Sequence, residues 1–346
     1  MKNQIFLLLV LLFSINYIAN AQDSKYQIAI VSFYNLENIF DTINNPEVND
    51  EEFTPEGKNS WTGERYKMKL SNMAKAISKI GSSFLNSGPT LLGISEIENI
   101  GVIQDLINTP PLSTEKYGIV HYDSPDKRGV DVGFIYQKDR FKVIGSKAFP
   151  LKTNDTSFFT RDQLLVKGLL DGEEIYVLVN HWPSRSGGEA RSAPKRIAAA
   201  KLSRSIYDSL YNENNNVKFI IMGDLNDDPT DESLKKHLIA KCKLKDIKAG
   251  DLFNPMFKLF KDGIGSLSYN DSWNLFDQII VSSPLTDKDY SNYKLHKAFV
   301  FNEPFLTQQT GQYQGSPFRT FSFGTFINGF SDHYPTFIIL ARKPKN

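Results

Sequence analysis

The sequence of 346 residues predicts an α/β (α+β) fold in which mixed β-sheet structure is covered by helices. Short apolar segments rich in Ile, Val, Leu and Phe recur at wide spacing, as buried strands do. Amphipathic segments with helical periodicity lie between some of them. No internal repeat of fixed period or heptad pattern is present in the sequence, which argues against a solenoid or a coiled coil.

Seven segments are predicted as strands because each is short and apolar. They are 27–33, 90–95, 130–136, 174–180, 218–222, 276–281 and 336–341. Two longer segments, 64–80 and 193–211, carry apolar residues at helical spacing and are predicted as helices.

The chain contains 40% apolar residues, which is enough to bury a large core. The long loops at 44–62 and 302–328 are rich in Gly, Pro, Asn and Ser, but no linker separates two cores. We therefore predict a single domain over residues 22–346, of a size that a two-sheet sandwich can hold.

Residues 1–21 have the pattern of a cleaved signal peptide. Lys2 gives a positive start, residues 5–13 form an apolar run, and a small-x-small site predicts cleavage after Ala21. The alternative is an uncleaved anchor, but this run is too short to span about 30 Å of hydrocarbon. The only cysteine, Cys242, lies elsewhere, which excludes lipid attachment at the cleavage site and an internal disulfide. We expect a periplasmic or secreted protein without stable membrane insertion.

Removing the signal peptide takes away Lys2 and leaves 39 basic residues (40 minus 1) against 39 acidic residues. This balance argues against a protein that holds long duplex nucleic acid by its overall field alone. It does not exclude a nuclease, because a local patch and a metal ion can bind a phosphate backbone.

Polar side chains follow several predicted strands. Asn35 and Glu96 come directly after apolar runs, and His181 follows the strand at 174–180. If these strands end at a common edge, the three side chains meet there. Each also has a simpler explanation: a turn for Asn35, a solvated strand end for Glu96, and a packed core imidazole for His181.

The segment 220–229 carries the most specific local pattern, an apolar strand closed by Gly223 and then Asp224-Leu225-Asn226. Asp224 and Asn226 are two residues apart, so in an extended segment both point to the same side. The carboxylate can take a proton from a water while the amide donates to an oxygen. An Asp-Asn turn is the alternative.

Two late segments add carboxylates and an imidazole: Asp277 is the second residue of one predicted strand, and Asp332-His333 precedes the last one. Asp332 and His333 are adjacent and cannot pair with each other. His333 therefore needs a carboxylate from elsewhere, and Asp277 is the candidate.

Together these motifs resemble the endonuclease/exonuclease/phosphatase superfamily, which includes pancreatic-type deoxyribonucleases, apurinic endonucleases, sphingomyelinases and inositol polyphosphate phosphatases. The resemblance extends from about residue 28 to residue 341 and keeps six elements in order. They are Asn35, Glu96, His181, Gly223-Asp224-x-Asn226, Asp277 and Ser331-Asp332-His333. It implies a four-layer sandwich, with two packed mixed β-sheets flanked by helices and the site at one edge.

The resemblance implies that Glu96 is the principal Mg²⁺ ligand, with Asn35 and Asp332 near the metal or the phosphate. Mn²⁺ and Ca²⁺ remain alternatives, since both also take oxygen ligands. The resemblance further implies that Asp224 orients or deprotonates the attacking water and that Asn226 holds the phosphate.

By the same resemblance, two imidazoles, His181 and the His333 paired with Asp277, donate to non-bridging oxygens or protonate the leaving group. The stretch at 128–131 is similar to one in exported members of the family, and Asp131 is expected to orient His181. Candidates for binding a substrate phosphate are Arg128, Arg185 and Arg319, although exposed loop arginines are often simply solvated.

These assignments predict an exported, divalent-metal-dependent phosphoesterase that hydrolyses phosphodiester bonds with an activated water. The favoured interpretation is that the protein is a monomeric nuclease or nucleotide phosphodiesterase, with nucleic acid or nucleotides as substrate. A phosphatase or phospholipase C-like enzyme on a lipid or sugar phosphate remains open, as does an inactive binding module with the same fold. The sequence has no Gly-x-Ser-x-Gly, His-Glu-x-x-His or cysteine cluster, which argues against a serine hydrolase or a zinc enzyme.

Overall fold

The computed structural model describes residues 26–153, 155–269 and 272–344 of the chain. Within these residues, most strands belong to a 6-stranded sheet and a 7-stranded sheet, and two short hairpins stand apart. The predicted signal peptide, residues 1–21, lies outside the described residues. Its cleavage and the single domain over 22–346 stay predictions.

The strands are numbered in chain order. They are β1 Gln27–Ile39, β2 Leu91–Ile97, β3 Tyr117–His121, β4 Asp131–Gln137, β5 Phe141–Phe149, β6 Gln163–Leu170, β7 Glu173–His181, β8 Phe219–Asp224, β9 Ala240–Lys241, β10 Leu252–Phe253, β11 Leu267–Tyr269, β12 Ser272–Asn274, β13 Asp277–Ser282, β14 Lys294–Val300, β15 Phe321–Ser322, β16 Thr325–Phe326 and β17 Thr336–Arg342. The 6-stranded sheet has the order β14-β17-β1-β2-β4-β3, and the 7-stranded sheet has the order β5-β6-β7-β8-β13-β10-β9.

The α-helices of the described residues are α1 Gly63–Lys79, α2 Ile100–Asn108, α3 Glu189–Glu213 and α4 Met256–Lys261. Single turns of 3-10 helix occur at Glu51–Phe53, Leu112–Thr114, Leu244–Asp246, Ser283–Leu285 and Pro304–Leu306, and a π-helical turn at Ser233–His237. Across the residues placed by the structure, none of these helices has the length and apolar content to cross a bilayer.

The side chains of β1 are divided between two cores. Ile30 and Tyr34 pack with residues of α1 and α2, whereas Ala29 and Val31 face the 7-stranded sheet. Successive side chains of a strand point to opposite faces, so one continuous apolar run serves both cores. On the far side, α3 covers the 7-stranded sheet through residues such as Tyr207. The result is the predicted four-layer sandwich of two mixed sheets flanked by helices.

All seven predicted strands and both predicted helices are present, with differences at their ends. Strand β1 continues to Ile39, past the predicted end at residue 33, and so carries Asn35 within the strand. Helix α3 begins at Glu189, before the predicted start at 193, and therefore includes Pro194, which lacks one backbone donor but does not end the helix.

Strand direction brings the motif residues to one edge of the sandwich. Strands β1 and β2 are parallel, and so are β7 and β8, so the carboxyl ends of each pair lie together. Strand β13 is antiparallel to β8, with Asp277 opposite Asp224, and β17 is antiparallel to β1. Gly223 allows the close approach of β7 and β8, since a Cβ there would clash with the carbonyl of Asn180.

A buried ion network links the two sheets at the opposite edge. Glu173, the first residue of β7, accepts hydrogen bonds from Arg342 Nη1 at 2.7 Å and from Lys218 Nζ at 2.5 Å. Arg342 ends β17 in the other sheet. Desolvation alone would raise the pKa of Glu173, but hydrogen bonds from Lys218 and Arg342 outweigh it and hold this pKa below its ordinary value.

We predict that Glu173→Gln lowers the free energy of unfolding by about 3 kcal/mol at pH 7, because Lys218 and Arg342 are left without their anion. A depressed carboxyl pKa contributes stability above the unfolded-state value and loses it as pH falls through the folded-state value. The difference between wild type and variant should therefore shrink below about pH 4.5.

Urea denaturation from pH 7 to pH 3.5 measures both effects. The neighbouring Glu174→Gln, on a half-exposed side chain paired with Lys167, is the matched control and should change stability by no more than about 0.5 kcal/mol. Equal effects of the two substitutions would show that the buried network does not join the sheets energetically.

Candidate functional site

Asp224 lies at the centre of the edge where the sheets meet. Its Oδ2 accepts a hydrogen bond from Asn35 Nδ2 at 3.1 Å, and its Oδ1 accepts one from Asn226 N at 3.0 Å. The same Oδ2 is 3.6 Å from His181 Nε2 and 3.9 Å from His333 Nε2. Asn35 belongs to the other sheet, so the two sheets contribute jointly to the environment of this carboxylate.

Burial raises the pKa of Asp224 to about 7, while the charge of His333 opposes the shift and that of Asp277 adds to it. A carboxylate with a pKa near neutrality can accept a proton from a water and release it again. This property matches the role that the sequence motif predicts for Asp224.

His333 forms the predicted pair with Asp277. Its Nδ1 is 2.6 Å from Asp277 Oδ2, which also accepts a hydrogen bond from Ser266 Oγ at 2.5 Å. Burial alone would lower the pKa of His333, but the fully buried Asp277 carboxylate outweighs it and raises this pKa well above 6.5. His333 therefore carries a proton at neutral pH.

The pKa of His181 is shifted in the opposite direction to that of His333. Burial lowers the pKa of this imidazole well below 6.5, and the nearby positive charges of Arg161 and Arg128 lower it further. His181 is therefore neutral at pH 7. Its Nδ1 is buried and has no hydrogen-bond partner among the described residues.

Glu96 is the last but one residue of β2, with one carboxylate oxygen facing the cluster. Its Oε2 accepts a hydrogen bond from Asn38 N at 3.2 Å. Its Oε1 is 3.8 Å from His181 Nε2 and 3.9 Å from Arg128 Nη2, too far for hydrogen bonds. Asp332 stands nearby and is one-third exposed, with its Oδ1 3.9 Å from His333 Nε2.

Four residues at this edge have left-handed backbone conformations that favour glycine: Glu37, Asn38, Glu96 and Asn226, with φ between 50° and 60°. Such conformations cost of order 1–3 kcal/mol and concentrate at functional sites. At Asn226 the turn places the side chain beside β7, where Nδ2 donates to Trp182 O at 3.0 Å. An amide has two donor hydrogens, so one remains for a phosphate oxygen.

Glu37 and Lys69 form a buried pair beneath the cluster that the sequence analysis missed. Lys69 Nζ is 3.8 Å from Glu37 Oε2 and donates to Phe330 O at 2.5 Å. Burial raises the pKa of Glu37 to about 7, with Asp332 adding to the rise, and lowers that of Lys69 to about 8. Lys69 lies in the amphipathic helix α1, where a lysine is ordinarily solvated, so no sequence signal marked it.

Two of the three candidate phosphate-binding arginines lie beside the cluster. Arg128 has a half-exposed side chain 3.9 Å from Glu96, and Arg319 Nη2 is 3.5 Å from Asp332 Oδ2. Arg185 is bound differently: its Nε donates to the backbone oxygen of Asn226 at 3.0 Å, and its Nη atoms contact the carboxylates of Glu189, Asp227 and Asp231. The prediction of phosphate binding by Arg185 is not supported by this position, because its guanidinium is already neutralised.

The predicted pairing of Asp131 with His181 was wrong. Asp131 Oδ2 is 2.9 Å from His121 Nε2, and its Oδ1 accepts a hydrogen bond from Ser124 N at 2.8 Å. Strands β3 and β4 are adjacent, with His121 opposite Gly133, and this register delivers His121 to the carboxylate.

The cluster fits a divalent cation by its charge and its donor atoms. Four cations surround five carboxylates at this edge: Lys69, Arg128, Arg319 and His333 lie among Glu37, Glu96, Asp224, Asp277 and Asp332. Carboxylates that are buried or half-buried together are stabilised by a positive partner. Hard cations such as Mg²⁺ take carboxylate and amide oxygens, which this edge supplies.

The cluster offers two alternative positions for a metal ion, one between Asp224, Asp277 and His333 and the other at Glu96 Oε1. Asp224, Asp277 and His333 each offer one ligand atom, all within 4.8 Å of one another. An ion there would have to break the 2.6 Å hydrogen bond between His333 and Asp277. Glu96 Oε1 accepts no hydrogen bond from the described residues and needs no such rearrangement, so we favour Glu96 as the ligand, with Asn35 and Asp332 nearby.

The sequence profile of the endonuclease/exonuclease/phosphatase family matches residues 30–342. The chain belongs to this family. Membership of this family accounts for the order of the six motif elements along the chain and for their convergence at one edge. As a member of this family, the chain is a hydrolase of phosphate esters. Enzymes of this family depend on a divalent metal ion for this hydrolysis.

Solved structures of the endonuclease/exonuclease/phosphatase family share the fold. A family protein from Bacteroides thetaiotaomicron has a TM-score of 0.57 at 16% identity, covering 93% of this chain and 100% of that one. The mannosyl-6-phosphatase Bt3783 from B. thetaiotaomicron VPI-5482 has a TM-score of 0.53 at 16% identity, covering 90% and 99%. TDP2 from D. rerio, complexed with a single-strand DNA product, has a TM-score of 0.52 at 14% identity, covering 90% and 98%. No curated protein matches the sequence.

We predict that Asp277→Asn lowers the pKa of His333, because the amide removes the charge that stabilises the imidazolium. Ring-resonance NMR titration of the histidines measures this pKa directly. Asp155→Asn, on an exposed carboxylate outside the cluster, is the control and should leave the His333 titration in place. An unchanged His333 pKa in Asp277→Asn would show that the Asp277 carboxylate does not raise the pKa of this imidazole.

Proposed function

We propose that this protein is an exported, Mg²⁺-dependent phosphodiesterase that hydrolyses nucleic acids or nucleotides and acts as a monomer. The observation that carries the proposal is the arrangement around Asp224, in which a neutral imidazole and a protonated imidazole flank a carboxylate of near-neutral pKa. Hydrolysis of a phosphodiester needs these functions: a proton acceptor for water, a proton donor for the leaving oxygen, and neutral donors for the phosphate.

Asp224 accepts the proton of the attacking water, and Asn35 and Asn226 N hold its carboxylate in one orientation. His333 gives a proton from Nε2 to the leaving oxygen while Asp277 holds its Nδ1, and after product release solvent returns a proton to His333 and takes one from Asp224. The remaining amide hydrogen of Asn226 donates to a phosphate oxygen. A divalent ion bound by Glu96 would neutralise charge on the phosphate. Water attacks in line, so the configuration at phosphorus is inverted.

The choice of a diester rests on two partly exposed arginines beside the cluster, Arg128 and Arg319, which suit the phosphate of a larger substrate. The complex of D. rerio TDP2 with a single-strand DNA product is an example of nucleic acid on this fold. The balanced overall charge favours short or single-stranded substrates over long duplexes.

We predict that Asp224→Asn and Glu96→Gln each lower kcat/KM for bis-p-nitrophenyl phosphate with Mg²⁺ by about 100-fold or more, through loss of the proton acceptor and the metal ligand. EDTA should abolish turnover by the wild type. Glu98→Gln is the matched control for Glu96→Gln, since Glu98 lies two residues away and accepts a hydrogen bond from Asp41 N.

Full activity in Asp224→Asn would contradict the assigned mechanism, in which Asp224 accepts the proton of the attacking water. Faster turnover of p-nitrophenyl phosphate than of the diester would replace the phosphodiesterase with a phosphatase. Retention of configuration at a chiral phosphorothioate would demand a covalent intermediate.

Export follows from the pattern of residues 1–21. We predict that the protein recovered from a Gram-negative bacterial host lies in the periplasmic fraction and has the intact mass of residues 22–346. Replacing Leu8 and Leu9 with Arg, which interrupts the apolar run, should leave the full-length mass in the cytoplasm. Cytoplasmic wild-type protein of full-length mass would refute export.

A further inference from the structure

A cavity of about 400 Å³ opens beside the catalytic cluster, between the segment before β6 and the start of α3. A second cavity of about 510 Å³ shares Arg191 and Lys195 with the first and adds Lys152 and Lys201 to its lining. The shared residues make the two cavities parts of one surface feature. We call it the basic groove.

The basic groove carries positive charge that the protein does not neutralise. Arg161 in its lining is paired with Asp126, but within the parts of the chain that the structure describes its other basic residues have no carboxylate within 4.0 Å; they are Lys152, Arg191, Lys195 and Lys201, with Lys127 at the edge. The carboxylate of Asp155, which also lines the groove, is hydrogen-bonded to Ser157. In a chain of balanced overall charge, this concentration is a local site for an anion.

Aromatic rings accompany the charges. Phe158 and Phe159 line the first cavity, and the Phe159 side chain is half exposed. Lys195 Nζ lies 3.7 Å from the ring centroid of Phe158, and Lys127 Nζ lies 5.8 Å from that of Phe159. Alternation of cationic groups with exposed aromatic faces is the composition of surfaces that bind single-stranded nucleic acid.

The groove and the catalytic cluster share a wall. Arg161, which lines the first cavity, is 2.9 Å from Asp126 Oδ2 and donates to Trp182 O at 2.8 Å. The same Trp182 carbonyl accepts the amide of Asn226. Two polar atoms in this wall, Arg161 Nε and Thr160 Oγ1, are buried without a partner among the described residues. A ligand in the groove therefore lies across this wall from Asn226, the residue assigned to the phosphate.

We propose that the basic groove binds a single-stranded nucleic acid on one side of the scissile phosphate. The proposal rests on the function assigned above and names its substrate class. A cavity of about 400 Å³ suits one nucleotide-sized group, within the range of about 300–1,000 Å³ usual for ligand sites. The lysines and Arg191 neutralise successive phosphates, and Phe159 stacks on a base.

The test uses Lys152→Gln/Lys195→Gln/Lys201→Gln beside a charge-matched control, Lys138→Gln/Lys142→Gln/Lys245→Gln. The control lysines are exposed and line neither cavity. Fluorescence anisotropy in EDTA measures binding of a labelled single-stranded oligonucleotide against salt. Activity with Mg²⁺ is measured on the unlabelled oligonucleotide and on bis-p-nitrophenyl phosphate.

We expect the groove variant to flatten the slope of log affinity against log salt by about 2, from about 0.7 per lost phosphate contact. Its kcat/KM should fall at least about tenfold on the oligonucleotide and stay within about twofold on bis-p-nitrophenyl phosphate. Phe159→Ala should weaken binding of the oligonucleotide about tenfold but leave an abasic strand of equal length unaffected.

A groove variant that matches the control in salt slope and in oligonucleotide kcat/KM would overturn the proposal. So would stronger binding of a blunt duplex than of the single strand. Failure of the wild type to hydrolyse bis-p-nitrophenyl phosphate would overturn the proposed function alone, because the anisotropy measurement in EDTA still decides whether the groove binds the strand.

Discussion

The burial of carboxylates where the two sheets meet is the constraint on which the rest of the site depends. Parallel and antiparallel pairings send Asp224 and Asp277 to the same edge in register, and Asn35 reaches them from the other sheet. Buried charges of one sign are costly without partners. The protein meets part of this cost with Lys69 and His333, and a divalent ion bound by the remaining carboxylates would meet the rest.

The two imidazoles differ in protonation state because their surroundings differ. The charge of the fully buried Asp277 raises the pKa of His333, so it keeps its proton, whereas burial, with Arg161 and Arg128 adding to the effect, lowers the pKa of His181, so it loses its proton. The same side chain thus has two protonation states a few ångströms from one carboxylate. The ion pair of Arg161 with Asp126 fixes one of these charges, so a pair outside the cluster helps to set the state of an imidazole inside it.

Elements with continuous apolar runs were predictable from the sequence, since burial on both faces leaves a plain signal, as in β8. Strand β5 was not identified because it is largely exposed and mixes Lys, Ser and Gly with its apolar residues. Within the site, Asp277 could be assigned to His333 because an adjacent acid cannot pair with it. Asp131 could not be assigned correctly, because its true partner depends on the register of β3 and β4, which the sequence does not state.

The left-handed backbone at Glu96 and Asn226 has a consequence for how this protein would respond to selection for heat resistance. Glycine adopts this conformation at no steric cost, so a glycine at either position would relieve backbone strain while deleting a functional group. Stability and activity therefore pull in opposite directions at the same residues. A lineage that no longer needed catalysis would be free to accumulate glycine there, and the glycines would mark the loss.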